Sequence, residues 1–240
     1  TLFASVFGSP VAHGKILQIN ITEAASMEGV VGIFTYKDIP GKNQIGGIIP
    51  DETLLATDEV HYMGMPVVLV VADSAEIAAA AVKKITIEIE KYPVVTNPRT
   101  AHANGSLIVP PRTFKIGDSE NTFENCTHIF EGVAETNGQE HLYIETQGAY
   151  AIPGENNSIR IISSTQGPTA VQKHSSEVLG IAMHRVEVDT TRLGGGFGGK
   201  EDQATSWAVF CALAAWLLKK PVKYSLNRME DLRMTGKRHP

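Results

Sequence analysis

Five glycines fall within the six positions from Gly194 to Gly199, inside the run Thr191-Arg192-Leu193-Gly194-Gly195-Gly196-Phe197-Gly198-Gly199-Lys200-Glu201. Glycine at this density costs backbone entropy, so a folded chain keeps it only where another atom must come close or φ must be positive. Arg185 to Asp189, ahead of the run, alternates as a strand does, and Gln203 to Lys220, behind it, reads as a helix. A glycine loop between a strand and a helix offers free N–H groups to an anionic ligand. Residues 191–201 are therefore expected to form a cofactor loop.

Two nucleotide-binding patterns overlap this loop, and each fails at a residue. Gly194-x-Gly196-x-x-Gly199 satisfies the dinucleotide pattern, which also requires an acidic residue about 20 positions on, at the end of the next strand. The next candidate strand, Val222 to Leu226, ends instead in Asn227 and Arg228, with Glu230 too far along. The spacing from Gly194 to Gly199 and Lys200 resembles a P-loop, but Glu201 stands where Ser or Thr would ligate magnesium. A carboxylate there would repel phosphate.

The rest of the chain reads as mixed α and β. Leu2 to Phe7, Lys15 to Ile21, Val30 to Thr35, Pro66 to Ala72 and Ile85 to Glu90 are predicted strands from their β-branched content and alternation. Thr22 can cap a short helix through Met27 ended by Gly29, and Ser74 can cap a second from Ala75 to Lys84. Asn97 to Asp118 carries Pro98, Gly105, Pro110, Pro111 and Gly117 with weak periodicity, as a surface linker would. Further strands are expected near His128 to Glu135, His141 to Ile152 and Ser158 to Ser163. Gly167-Pro168 opens a helix that Gly180 can close. The helix from Gln203 is apolar nearly all round, so it belongs inside a domain, with Trp207 and Trp216 as core residues.

Composition excludes several function classes. A formal charge of −5 disfavours nucleic acid or an acidic membrane as the main partner. Cys126 and Cys211 stand alone, too few for an iron–sulfur cluster, and fit reduced buried thiols of a cytoplasmic protein. The eight histidines show no metal-ligand spacing among themselves. Thr1-Leu2-Phe3 enters an apolar pattern at once with no initiating Met, as an internal fragment would.

Several ordered segments share one resemblance. Arg192 to Glu201 is similar to the R-L/M-G-G-G-F-G-G-K-E signature of the molybdenum hydroxylases, in their xanthine dehydrogenase branch. Gly138-Gln139-Glu140-His141-Leu142-Tyr143-Ile144-Glu145-Thr146 resembles that family's G-Q-D/E-H-F-Y-L-E-T. Ser164-Thr165-Gln166 resembles its S-T-Q ahead of a helix, at a matching distance from Phe197, and Gly236 to Pro240 resembles G-x-R-H-P. In the first half, Val60 to Ala72 resembles V-x-x-x-G-x-P-I/V-x-x-V-V-A, Ser9 to Ile16 resembles S-x-x-A-H-A/G-x-I, and Asp38-Ile39-Pro40-Gly41 is shared. The resemblance implies an α+β fold. An α/β hammerhead domain would span residues 1–96, a linker 97–120, and the first, incomplete portion of a mixed α/β molybdopterin-binding domain 121–240.

The same resemblance assigns roles that the residues alone leave open. By default Phe197 is a packing anchor for its loop, Gln166 a capping or solvated amide, and Glu201 a carboxylate favoured by the dipole of a helix first turn. The resemblance implies instead that Gly195, Gly196, Phe197 and Gly198 line molybdopterin with its molybdenum. The N–H groups of Phe197 and Gly198 would face the oxygen ligands of the metal, and the Gln166 side chain would donate to an oxo ligand. That places Gln166 and Phe197 in the molybdenum shell. Glu201 would hydrogen-bond a purine ring, since aldehyde-oxidising relatives usually lack an acid there. Lys200 would neutralise phosphate or lie solvated at the surface. His141 would bond a neighbouring backbone group, and Asp202, Glu140 and Glu145 have no assigned role.

The function implied by the family is an expectation of the same kind. The reaction would oxidise hypoxanthine or xanthine toward urate, with water as the oxygen source. Electrons would leave through 2Fe–2S clusters and FAD, held on other domains or subunits, to NAD. The partners would be those domains and the remaining molybdenum-binding region, in a dimer of the complete enzyme. No residue here is assigned catalysis, because the family's glutamate and its A-F-R-G-F-G segment have no counterpart in these 240 residues. The chain alone is then expected to be inactive. An aldehyde or another N-heterocycle as substrate, and a cofactor-free scaffold or assembly module, are the alternatives.

Overall fold

A computed structural model describes residues 1–239; Pro240, the last residue of the G-x-R-H-P resemblance, lies outside the described residues. Among the described residues, ten strands are interspersed with seven α-helices. The strands are β1 (Leu2–Gly8), β2 (Gly14–Asn20), β3 (Val30–Phe34), β4 (Glu59–Val60), β5 (Pro66–Ala72), β6 (Thr86–Lys91), β7 (Gly148–Pro153), β8 (Ile159–Ser163), β9 (Val186–Asp189) and β10 (Val222–Ser225). The helices are α1 (Thr22–Ala25), α2 (Ala75–Val82), α3 (Pro98–Ala103), α4 (Ser119–Glu124), α5 (Pro168–Leu179), α6 (Gln203–Leu218) and α7 (Arg228–Met234).

Seven strands form one sheet in the order β3-β5-β1-β10-β7-β8-β9, and three form a second in the order β4-β2-β6. The large sheet joins the two halves of the sequence: β1 lies parallel to β10, with Leu2 opposite Val222 and Phe3 opposite Lys223. Strand β5 explains its own apolar run, because both its faces are covered. Leu69 and Val71 enter the core under α5 and α6, while Val68 and Val70 enter a second core with Ala24, Ala81 and Ile85. Helix α6 has eleven buried residues in sixteen, which is why its sequence shows no polar face. Trp207 is buried in that core, whereas Trp216 is only partly buried and carries Lys219 Nζ 3.9 Å from its ring centroid.

Local signals act through identifiable bonds. Ser74 Oγ accepts from the Ile77 N–H at 3.2 Å and starts α2, Pro168 occupies the first turn of α5, and Gly180 ends α5 at φ +66°. Asn227 and Glu230, which stand near the place a ribose ligand would take in a dinucleotide fold, instead form the capping box of α7. Asn227 Oδ1 accepts from the Met229 and Glu230 N–H groups, and Glu230 Oε2 accepts from the Asn227 N–H.

Several expectations are corrected by the structure. Thr22 does not cap α1: Ile21 occupies the cap position and makes no side-chain bond, and Asn20 Oδ1 accepts the Thr22 N–H. The span His128 to Glu135 forms no strand. It is exposed throughout, and among the described residues its Ile129 and Val133 meet neither a sheet edge to complete their hydrogen bonds nor apolar surface to cover. In His141 to Ile152, only the part from Gly148 joins the sheet; the stretch before it is irregular, with Leu142 at φ +48°. The linker holds the short helix α3, begun by Asn97 Oδ1, and Ser119 begins α4 near its end. Cys126 is exposed, unlike Cys211, which is buried and donates to the Ala149 carbonyl at 3.4 Å.

Candidate functional site

The glycine run leaves β9 and returns to α6 across the segment 139–147, and its glycines are explained first by contacts inside the chain. A Cβ on Gly199 would sit 2.7 Å from His141 Cγ and 2.8 Å from Tyr143 Cε1. A Cβ on Gly194 would strike the Glu145 side chain, and one on Gly196 would lie 2.6 Å from Gln166 Cδ. Only Gly195, Phe197 and Gly198 take positive φ in this run, at +93°, +53° and +86°. A phenylalanine in that region is strained, and its ring gains little burial there, with 71% of it exposed. Phe197 is therefore no packing anchor for the loop.

Gln166 is held by the loop and is not a helix cap, since Gly167 occupies the cap position of α5 and no side chain caps it. The Gln166 backbone N–H donates to the Lys200 carbonyl at 2.8 Å. Its side-chain Oε1 accepts two backbone N–H bonds, from Gly198 at 3.1 Å and from Lys200 at 3.2 Å. With the carbonyl oxygen engaged, the amide nitrogen of this exposed residue is left as a donor with no hydrogen-bond partner among the described residues. The N–H groups of Gly195, Gly196 and Phe197 have no hydrogen-bond partner among the described residues. The Gly198 N–H, expected to face a metal ligand, is spent on Gln166 in this structure. Glu201 is exposed and begins the turn into α6.

Beneath this surface lies a charged support that sequence reasoning assigned otherwise. Lys200 is neither solvated nor free for phosphate: its side chain is fully buried. Nζ donates to the Glu145 carbonyl at 2.7 Å, to Glu145 Oε2 at 3.0 Å and to Ser164 Oγ at 2.8 Å, which uses all three of its protons. It also lies 4.6 Å from the Tyr143 ring centroid. Glu145 Oε2 further accepts from the Gly194 N–H at 2.8 Å and from the Ser164 hydroxyl. Burial pushes the Glu145 carboxyl upward, but the Ser164 hydroxyl, the Gly194 N–H and the Lys200 ammonium outweigh it and hold it below the usual range. Glu145, unassigned from sequence, is thus the anchor of the loop's first glycine. A signal existed, since an acid and a lysine in two separate motifs suggest a pair, but only the fold places them together.

A second network locks segment 139–147 to α7. The Tyr143 hydroxyl donates to Asp231 Oδ1 at 2.7 Å, and the Gln147 N–H donates to Asp231 Oδ2 at 2.8 Å. Gln147 Nε2 bridges to the Tyr143 oxygen at 3.0 Å and to the Gly199 carbonyl at 2.8 Å. Burial, and after it the Asp231 carboxylate, push the Tyr143 hydroxyl well above the ordinary tyrosine range, so it remains a neutral donor. Gln139 and Arg238 exchange backbone bonds at 3.1 and 2.8 Å, bringing the first and last motifs of this half together. The His141 ring stacks on Tyr143 with centroids 6.3 Å apart.

Taken together, the elements present an outward wall rather than an enclosed pocket. Phe197, Leu142 and Ile144 are exposed apolar residues on or beside it. A cleft of about 380 Å³ borders Glu145, Ser164, Thr191 and Arg192, and neither Gln166 nor Glu201 lines it. Gly196→Ala is expected to displace Gln166, because the new methyl occupies the space of its side chain, and both bonds to Oε1 are forfeited. The expected cost is about 1–3 kcal/mol, read as lost hydrogen-exchange protection at the Gly198 and Lys200 amides. Unchanged protection at both would refute it.

No helix among the described residues is long and apolar enough to cross a membrane. The family model described as molybdopterin cofactor-binding domain matches residues 101–240, and that of the aldehyde oxidase and xanthine dehydrogenase a/b hammerhead domain matches residues 1–93. A xanthine dehydrogenase of Calliphora vicina is 39% identical over 242 residues, covering 100% of this chain and 18% of its own length. Xanthine dehydrogenase 1 of Arabidopsis thaliana is 40% identical over 244 residues with the same coverage. Among solved structures, the aldehyde oxidoreductase of Desulfovibrio gigas superposes with a TM-score of 0.88 at 27% identity, covering 99% of this chain and 28% of that one. The chain thus spans under a fifth of the curated relatives it matches. With both matched regions, the large sheet that unites them and the glycine wall at its end, the chain belongs to the molybdenum hydroxylase family, as its α/β hammerhead domain and part of its molybdopterin-binding domain.

Proposed function

We propose that this chain forms one wall of the active site of a molybdenum hydroxylase that oxidises hypoxanthine and xanthine toward urate, with water as the oxygen source. The observation that carries the reading is the donor set at the loop: Gln166 is fixed through its amide oxygen, leaving its nitrogen to donate beside the unpartnered N–H groups of Gly195, Gly196 and Phe197. Such a row of fixed donors suits an oxygen-rich, anionic group such as molybdopterin with its molybdenum, and a Cβ at Gly196 would spoil it. When bound, the molybdenum centre supplies the redox chemistry of the hydroxylation. The chain's own part is positional. The Gln166 amide nitrogen and the Phe197 N–H would hold oxygens of that group, and these donors need no reorganisation because Lys200, Glu145 and Ser164 fix the loop from below.

Glu201 supports a purine as substrate. It projects from the wall as an exposed carboxylate, the group needed to accept an N–H of a heterocycle, and aldehydes offer none. Electrons leaving through 2Fe–2S clusters and FAD to NAD, a dimeric assembly and a cytoplasmic location complete the reading. The likeness to an aldehyde oxidoreductase favours an aldehyde substrate as the second reading. The test is the molybdenum content of the complete parent protein from its native host, by inductively coupled plasma mass spectrometry. About one molybdenum per chain is expected, for a single cofactor wall. None in a fully assembled preparation would overturn the enzyme reading and leave a scaffold.

A further inference from the structure

The second sheet carries a cluster that histidine spacing in the sequence does not announce. His13 directly precedes β2 and His61 directly follows β4, and the antiparallel pairs Gly14 with Val60 and Lys15 with Glu59 continue so as to set His13 opposite His61. Glu59 opens β4 and His61 comes two residues on, just past its end, so where the extended backbone continues the two project to one face. One side-chain atom from each of His13, Glu59 and His61 lies within 4.8 Å of those of the other two. The two imidazole centroids are 6.0 Å apart.

The orientation of His13 is also set. Its Nδ1 lies 3.0 Å from the Pro93 carbonyl oxygen, which can only accept, so Nδ1 carries the proton and Nε2 is the free nitrogen. Tyr92 meets the same ring edge-on, at 5.3 Å between centroids. A metal-binding histidine commonly gives its other ring N–H to a carbonyl in this way, which fixes both tautomer and ring plane. His13 and Glu59 are half-buried and His61 is exposed, so an ion has a route in.

We propose that His13, Glu59 and His61 form a zinc site on the hammerhead sheet, with a fourth position left to water. Two imidazoles and one carboxylate suit zinc, whereas calcium and magnesium demand oxygen ligands throughout. Bonds of about 2.0–2.1 Å in tetrahedral geometry bring ligand atoms about 3.3 Å apart, so closure needs side-chain shifts of roughly 1 Å. Three side chains that are at least partly exposed allow this. The ion would clamp β4, which is only two residues long, across to β2.

The test uses the complete parent protein, dialysed against a chelator and then equilibrated with micromolar Zn²⁺, with zinc counted by mass spectrometry. Wild type is expected to take up about one zinc per chain more than His61→Ala, and Glu59→Gln to bind at least about tenfold more weakly. Zinc should raise the unfolding midpoint of wild type and leave that of His61→Ala where it is. Glu59→Gln is nearly isosteric and keeps the test open should the histidine variant fail to fold. Equal zinc uptake and affinity in wild type, His61→Ala and Glu59→Gln would overturn the site. The readout is zinc and not turnover, so it stands apart from the molybdenum reading.

Discussion

On the proposed purine reading, Glu201→Val in the complete enzyme is expected to lower kcat/KM for hypoxanthine roughly a hundred- to a thousand-fold, the loss when one fixed polar contact to the reacting substrate is removed. Turnover of an aromatic aldehyde should survive or rise. The asymmetry comes from the chemistry of the two substrates. A purine ring presents N–H groups whose desolvation must be met by an acceptor, and an aldehyde presents an apolar body with no such demand. Glu201 is exposed on the wall, so its removal disturbs no packing inside the chain. The measurement is kcat/KM for both substrates on one preparation, with molybdenum content matched to wild type. Equal losses on both substrates would mean that Glu201 supports the cofactor and does not read the purine, and no loss on either would remove it from the site.

Asp231→Ala is expected to cost about 2–6 kcal/mol of stability, because two buried donors each lose an acceptor worth about 1–3 kcal/mol. Asp231 is fully buried and accepts from the Tyr143 hydroxyl and the Gln147 N–H, both of which are also buried. Truncation leaves those donors facing a cavity. Gln147 then loses its register, and its Nε2 bond to the Gly199 carbonyl, at the end of the glycine run, goes with it. Asp231→Asn should cost less, because its amide oxygen keeps one of the two acceptors. Urea unfolding of wild type and both variants checks the order. A loss below about 1 kcal/mol for the alanine variant would mean that water replaces the carboxylate.

Glu145 and Lys200 illustrate why part of the site could not be read from residue order. Each looked ordinary: an unassigned acid and a lysine expected at phosphate or in solvent. Fifty-five positions separate them, and only the return of the loop over segment 139–147 brings the buried Lys200 ammonium onto the exposed Glu145 carboxylate. The glycines were legible as a demand for close approach, but not as to what approaches. For Gly194, Gly196 and Gly199 it is the chain's own Glu145, Gln166, His141 and Tyr143. His13 and His61 are a parallel case, joined by a strand register that spacing along the chain does not display.

Strand and helix periods, caps and the helix-ending glycine act over a few residues, and so β5, α2, α5 and α6 arise from local sequence. The same local signal misleads at His128 to Glu135, where a strand-like alternation has no partner among the described residues to complete its hydrogen bonds. Sequence by itself determined the mixed α and β elements, the family and the position of the glycine loop. Tertiary structure alone decided that one sheet runs through both halves of the chain, that Gln166 gives its amide oxygen to two loop N–H groups, and that Lys200 is buried beneath the loop. Those outcomes depend on contacts between residues far apart in the chain, whose free energy exists only once the backbone has brought them together.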